Sequence, residues 1–431
     1  MPRVPLPLRA LALLLTPLAG CDDPCGSRFA PGESTVVVSG PVELERTVID
    51  AGMCGPAWVA AADLDGDAAP ELILSRFGVQ TGASVPNGSV TTYDLEGDTW
   101  STEVVLSEDA GQKWPNDADA HDMDADGDLD LLVGFGFLTC QLVPWTSDCG
   151  GLTWFENGAD WARHDLVPNG ADGFFHRAVS TDVDGDGRLD LVAARESLAT
   201  PFGSTTYAQL EWFAGSDQGF VPQGKLVDGG GSLPVVFDVD GDGDDDIATG
   251  EFFVETGGFV WFEKEGAEYT RHVISTDHGP AIQLSIVPDL FGDGAPVVVG
   301  SNHVNNAEGS DQPWQPAILA WRIPDDPTGT WETQVLADDF ESLPGTGVAA
   351  PGVFSYGDID GDGDIDLLVS GDGDVSMYWL EQVDGAFDQH VLEAELPTAG
   401  GNAVTDLDGD GAADLIVVGY EDNALLRYEV R

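Results

Sequence analysis

The chain has 431 residues, 42% of them hydrophobic, enough to bury a sizeable core in one large domain or two to three ordinary ones. Its charge is lopsided: 16 Lys and Arg stand against 77 Asp and Glu, a formal net charge of −61. Such a surface repels nucleic acid and anionic headgroups, which argues against either as a partner and leaves two explanations for the carboxylates, a soluble acidic exterior or bound cations.

The N-terminal stretch MPRVPLPLRALALLLTPLAGC places Arg3 and Arg9 before an apolar run, then small residues before Cys21. This layout predicts a secretory signal over residues 1–20. The segment LAGC also resembles the bacterial lipobox, which implies lipidation of Cys21; a plain cleaved signal with an incidental cysteine is the alternative. No other apolar run reaches the ~18 residues that a membrane span needs. The expectation is an exported cell-envelope lipoprotein that meets the membrane only through its acyl chains, or else a secreted protein. Residues 21–43 read as a tether. Cys25, Cys54, Cys140 and Cys149 remain, an even number in an oxidising compartment. Cys140 and Cys149 bracket the loop CQLVPWTSDC and are expected to pair, which leaves Cys25 for Cys54.

From residue 44 the sequence repeats itself. A nine-residue acidic phrase appears as DLDGDAAPE from Asp63, DMDADGDLD from Asp122, DVDGDGRLD from Asp182 and DVDGDGDDD from Asp238. It returns as DIDGDGDID from Asp358 and DLDGDGAAD from Asp406, with a decayed copy, DLFGDGAPV, from Asp289. Short apolar runs flank each phrase, a third run carries one aromatic (Tyr93, Trp154, Trp212, Trp261, Trp321, Trp379, Tyr428), and a fourth closes most units. Runs of this kind, punctuated by Gly, Asn and Asp, are strands. Four strands per unit and seven units predict an all-β, seven-bladed β-propeller over residues 44–431. The last unit lacks its fourth strand, and residues 44–51, LERTVIDA, are placed to supply it and close the ring. The aromatic series is expected to pack between blades.

Within each phrase, carboxylates at positions 1, 3, 5 and 9 converge hard oxygen ligands suited to calcium, with a carbonyl at position 7. The ligand sets are Asp63, Asp65, Asp67 and Glu71; Asp122, Asp124, Asp126 and Asp130; Asp182, Asp184, Asp186 and Asp190. They continue as Asp238, Asp240, Asp242 and Asp246; Asp358, Asp360, Asp362 and Asp366; Asp406, Asp408, Asp410 and Asp414. Position 7 is Ala69, Asp128, Arg188, Asp244, Asp364 or Ala412; an arginine there acts only through its carbonyl. Glycine at position 6 permits a left-handed turn, except that Ala68 replaces it in the first copy. The decayed copy has Phe291 and Val297 at positions 3 and 9 and is expected to hold no ion. An EF-hand is excluded, because position 12 is Leu74, Val133, Ala193, Thr249, Val369 or Val417 rather than Glu.

These phrases, each between strands and followed by segments such as GLTWFEN, resemble the FG-GAP or VCBS repeat family, also found in integrin α-subunit propellers. The resemblance implies a calcium loop joining the first and second strands of each blade, and five to six ions in all. Some relatives are enzymes on the same scaffold.

The loops between second and third strands are long near residues 76–88, 134–151, 194–208 and 300–317, and all should share the face opposite the acidic loops. Recognition usually resides in such loops. Phe137, Trp145, His176, Phe202, Tyr207, His303 and Trp314 are the ligand-binding candidates there. His164, His272 and His390 fall at equivalent repeat positions and belong to the scaffold. No hydrolase triad, phosphate-binding loop or HExxH motif is present, and no catalytic residue is assigned. The expected function is a monomeric, non-enzymatic binding or adhesion module for a glycan or extracellular protein. A polysaccharide lyase or sugar dehydratase is the alternative.

Overall fold

The computed structural model describes residues 25–78, 85–137, 150–198, 206–216, 219–254, 257–307, 312–344, 348–397 and 399–431. Each acidic phrase lies between two antiparallel strands that begin a four-stranded meander. Blade 1 runs Pro56–Ala62, Glu71–Arg76, Ser89–Glu96 and Thr99–Leu106. Blades 2 to 6 span residues 115–171, 174–228, 235–275, 281–337 and 354–393, each a four-stranded sheet in chain order. Blade 7 consists of Ala399–Thr405, Asp414–Gly419 and Ala424–Val430, completed by N-terminal strands. The architecture is an all-β, seven-bladed propeller.

Burial follows radial position. The second strands are covered on both faces by neighbouring blades, so Asp130–Phe135, Asp246–Gly250 and Asp414–Gly419 are buried at every residue. That is why their sequences are continuous apolar runs without alternation. Outer strands such as Gly219–Asp228 are largely exposed. Between blades the core is aromatic: Phe259, Trp261 and Trp321 pack into one cluster, with Phe259 and Trp321 ring centroids 4.6 Å apart.

The tryptophans do pack as the repeat predicts, but not in one register. In blades 2, 3, 4 and 6, Trp154, Trp212, Trp261 and Trp379 face Leu132, Val192, Ala248 and Leu368. Each of these partners lies two residues beyond position 9 of the acidic phrase. In blades 1 and 7 the tyrosines are one step away, Tyr93 opposite Leu72 and Tyr428 opposite Leu415. Thr92 and Arg427 therefore occupy the tryptophan position there. His164 and His272 stack on the tryptophans of their own blades at 4.1 and 4.7 Å, His390 lies tilted 4.9 Å from Trp379, and the three bond to Glu156, Glu263 and Glu381. They are scaffold residues.

Ring closure comes from Val42–Ala51, which pairs antiparallel with Ala424–Val430. A further strand, Ser34–Ser39, pairs with Val42–Ala51, so part of the segment expected as a tether is instead a fifth strand of blade 7. This segment is fixed again by the Cys25–Cys54 disulfide and by Arg28 and Arg46, whose guanidinium groups lie 4.5 and 4.9 Å from the Phe29 ring centre. Cys21, Cys140 and Cys149 lie outside the described residues. Deleting residues 34–51 exposes Ala424–Val430 as an open edge. The expected outcome is self-association in size-exclusion light scattering and a lower melting temperature; a monomer melting as the parent does contradicts this closure.

Candidate metal centres and the long-loop face

The acidic loops share one wiring, seen clearly in blade 3. Asp182 Oδ1 accepts the N–H groups of Gly185 and Asp186 at 2.8 and 3.1 Å, and its Oδ2 accepts that of Gly187 at 2.8 Å. Asp184 Oδ1 accepts the Asp186 N–H at 3.1 Å, and Asp186 Oδ1 accepts that of Arg188 at 2.9 Å. Asp190 reaches back across the turn: its Oδ2 accepts the Val183 N–H at 3.0 Å and its Oδ1 that of Gly215, on the third strand, at 2.6 Å. Gly185 and Gly187 have φ of 75° and 84°, which their lack of a Cβ permits. Ala68 takes φ 78° at the same place in blade 1, and its N–H still reaches Asp63 Oδ2 at 3.1 Å. The turn survives this alanine at a cost of about 1–2 kcal/mol.

Position 9 is the buried member of each set. Asp130, Asp190, Asp246 and Asp366 are each 1% exposed, and Glu71 is buried in blade 1. Burial, reinforced by the neighbouring carboxylates, pushes Asp246 up to about 6 and Asp366 up to about 7, although each accepts two backbone N–H bonds. Asp124, Asp240 and Asp360 at position 3 are raised as well, by partial burial and then by adjacent aspartates. Oxygens of positions 1, 3 and 9 lie within 4.8 Å of one another in Asp63, Asp65 and Glu71; Asp122, Asp124 and Asp130; and Asp182, Asp184 and Asp190. The same holds for Asp238, Asp240 and Asp246, and for Asp358, Asp360 and Asp366. Oxygen-only donors crowded until their ionised forms are disfavoured are a chemical match for a hard divalent cation.

The position-5 carboxylates, expected as ligands, stand outside these trios. Asp67, Asp126, Asp242, Asp362 and Asp410 each accept the N–H of the position-7 residue, namely Ala69, Asp128, Asp244, Asp364 and Ala412. In blade 5, Phe291 and Val297 remove two ligands, and Arg322 Nη1 takes Asp293 Oδ2 at 2.5 Å.

The loops are also tied around the ring. Asn157 donates its backbone N–H to Asp130 and its side-chain amide to Leu64 O of blade 1 at 2.7 Å. Lys264, at the matching place in blade 4, donates its backbone N–H to Asp246 and its ammonium to Asp182 O of blade 3 at 2.7 Å. Ordering one loop therefore bears on the next.

On the opposite face, side chains from all seven blades meet in a chain of contacts. Tyr420 and Phe137 each lie 6.1 Å from Phe77 between ring centres, and Phe137 lies 4.9 Å from His176. His176 then meets Phe253 at 6.3 Å, Phe253 meets Phe252 at 4.8 Å, and Phe252 meets His303 at 5.2 Å. His303 Nε2 is 3.4 Å from Asp372 Oδ2. Three of the expected candidates, Phe137, His176 and His303, thus come together. His176 is buried against Glu196 through its Nδ1, and His303 Nδ1 contacts the Pro351 carbonyl at 2.7 Å. Tyr207 is not part of this chain; its hydroxyl donates to Asp172 O at 2.9 Å. Trp314 packs so closely on Gly279 that a Cβ there would sit 2.8 Å from the indole. Trp145 and Phe202 lie outside the described residues. Sequence reasoning missed Phe77, Phe252, Phe253, Asp372 and Tyr420. Each follows within three residues of a second strand's end (Arg76, Gly250, Ser370 or Gly419), a periodicity readable once strand ends are aligned.

Residues 358–417, from the acidic loop of blade 6 through most of the second strand of blade 7, match the FG-GAP-like repeat family. Fold and repeat together define the class: a seven-bladed β-propeller that carries an FG-GAP-like repeat over residues 358–417. No curated protein matches the chain. Among solved structures it is similar to a lectin of Agrocybe aegerita, whose description is specific recognition of non-reducing terminal N-acetylglucosamine. Identity is 18%, coverage is 80% of this chain and 83% of that one, and the TM-score is 0.47.

Substitutions separate ligand from bystander. Under saturating calcium, Asp184→Ala and Asp360→Ala should each cost about 3–4 kcal/mol, the contribution of a site filled at 100–1,000 times its dissociation constant. Asp293→Ala should leave the melting temperature little changed, as an exposed surface change does. Equal melting temperatures for all three variants contradict a metal role for the trios.

Proposed function

We propose that the protein is an exported, calcium-stabilised β-propeller that binds a glycan or extracellular protein through its long-loop face. Calcium is held by the trios at positions 1, 3 and 9, with position 5 and the position-7 carbonyl able to add oxygens. The ion supplies the positive charge that three crowded carboxylates lack, so its binding energy becomes folding energy.

The observation that carries the binding role is the chain of rings from six blades, completed by Asp372 of blade 6, on the face with the longest loops. Phe137, Phe252 and Tyr420 are only partly buried there. Partly exposed rings next to Asp372 and two imidazoles suit a glycan best: sugar C–H faces stack on rings while hydroxyls bond to carboxylate and imidazole. One observation favours the enzymatic alternative, a lyase or dehydratase acting on sugars. His303, held through Nδ1 by the Pro351 carbonyl and 3.4 Å through Nε2 from Asp372, is a positioned imidazole of the kind acid–base chemistry uses.

A glycan and cell-surface binding screen tests the proposal. Binding should fall at least tenfold in Phe252→Ala and Tyr420→Ala with melting temperatures little changed, and a bound glycan that is recovered intact favours binding over catalysis. Binding that survives both substitutions removes this face from consideration. The anchoring reading is checked separately: Cys21→Ser should move the mature protein from the membrane fraction to the soluble one, and unchanged retention rejects a lipid anchor.

A further inference from the structure

Blade 7 departs from the other acidic loops at a single side chain. In blades 2, 3, 4 and 6 the third-strand residue facing position 9 plus two is tryptophan, and in blade 3 the Trp212 indole N–H donates to Asp190 Oδ2 at 3.1 Å. In blade 7 that place belongs to Arg427, which is 8% exposed. Its Nε donates to Asp414 Oδ1 at 2.7 Å, its Nη2 to Asp408 Oδ2 at 2.6 Å, and Nη2 lies 3.2 Å from Glu429 Oε1. A fixed cation thus bridges positions 3 and 9 of the loop.

The other loops lack this feature. In blades 1 to 4 and 6, no Lys or Arg among the described residues pairs with a carboxylate at position 1, 3 or 9. The position-9 Oδ1 instead takes a neutral backbone N–H in blades 2, 3, 4 and 6. Asp408 Oδ1 accepts the Asp410 N–H at 3.2 Å as its counterparts do, so Arg427 claims the remaining oxygen. Asp414 Oδ2 accepts the Leu407 N–H at 2.9 Å, as position 9 does in the other blades, so the difference lies on Oδ1, where a guanidinium replaces a backbone N–H.

We propose that in blade 7 the guanidinium of Arg427 takes the place that calcium fills elsewhere, so that the ring-closing blade is pinned without metal and the chain binds five ions, not six. This rests on the calcium reading above. The guanidinium presents two N–H donors in a fixed fork to two carboxylates, and its charge is permanent. A divalent ion entering the loop has to displace that fork and leave a buried arginine with Glu429 as its remaining carboxylate partner, which is unfavourable. Blade 7 is also where the N- and C-terminal strands meet. Its loop therefore stays neutralised when calcium is scarce, while the loops of blades 1 to 4 and 6 do not.

The test is calcium stoichiometry of the mature protein, by elemental analysis after equilibrium dialysis at saturating calcium and by native mass spectrometry. Five ions per chain are expected for the parent and six for Arg427→Trp, which installs the residue of the other blades. Should Arg427→Trp not fold, two ligand variants suffice: Asp406→Asn should keep five ions, whereas Asp358→Asn should drop to four. Six ions in the parent, or a loss of one ion in Asp406→Asn, overturns the proposal and leaves calcium binding intact. No bound calcium overturns the calcium reading and this proposal with it.

Discussion

The buried carboxylate at position 9 is the point on which the rest of the structure turns. Asp190, like Asp246 and Asp366, lies at the start of a second strand, accepts one N–H from its own loop and one from the third strand, and is sealed from water. It thereby fixes the first turn of the blade and the register of the next strand at once. A carboxylate so placed has lost much of its hydration, and the neighbouring aspartates add repulsion; burial together with those neighbours is what drives Asp366 up to about 7. Six of the seven blades place such a carboxylate at this point, and positive charge there would relieve the repulsion; blade 5, with Val297 in its place, has none to offset. Calcium is the proposed source in five blades, and a guanidinium in the seventh.

The two faces of the ring divide the work. On the acidic face the sequence is held to a short phrase, because the turn and its carboxylate-to-N–H bonds tolerate little change, and cross-links such as those from Asn157 and Lys264 couple neighbouring loops. On the other face the loops vary in length, and the rings that meet there belong to no repeated phrase. A rigid, laced scaffold under irregular loops is a common basis for recognition sites, since it positions side chains without fixing their identity. The Cys25–Cys54 link and the strand Ser34–Ser39 reinforce the one place where the circle is made of two chain ends.

Much of this is legible in the residues. The spacing of the acidic phrases carries the blade count, and the missing fourth strand of the last unit points to residues 44–51 as its completion. Those features depend on local chemistry: turn glycines, apolar runs and ligand spacing. What the sequence hides depends on register and on contacts across the ring. Tyr93 and Tyr428 look like members of the tryptophan series, yet a one-residue offset turns them to the opposite face of the strand and leaves Thr92 and Arg427 in the series position. Position 5 looks like position 3 on paper, and only the fold shows that position 3, not position 5, joins positions 1 and 9 in an oxygen cluster. The ring of Phe77, Phe252 and Tyr420 joins residues from blades far apart in sequence, so no window of the chain displays it.

The central claim, that the acidic phrases hold the fold together through bound calcium, is tested most directly by thermal unfolding as a function of free calcium. Each occupied site adds stability as RT ln(1 + [Ca]/Kd), so several sites should make the melting temperature climb steeply as calcium rises. The account predicts a marked fall in melting temperature on chelation, restored by calcium and only poorly by magnesium, whose smaller octahedral shell fits a loop of this kind badly. A melting temperature that ignores both chelator and calcium contradicts it.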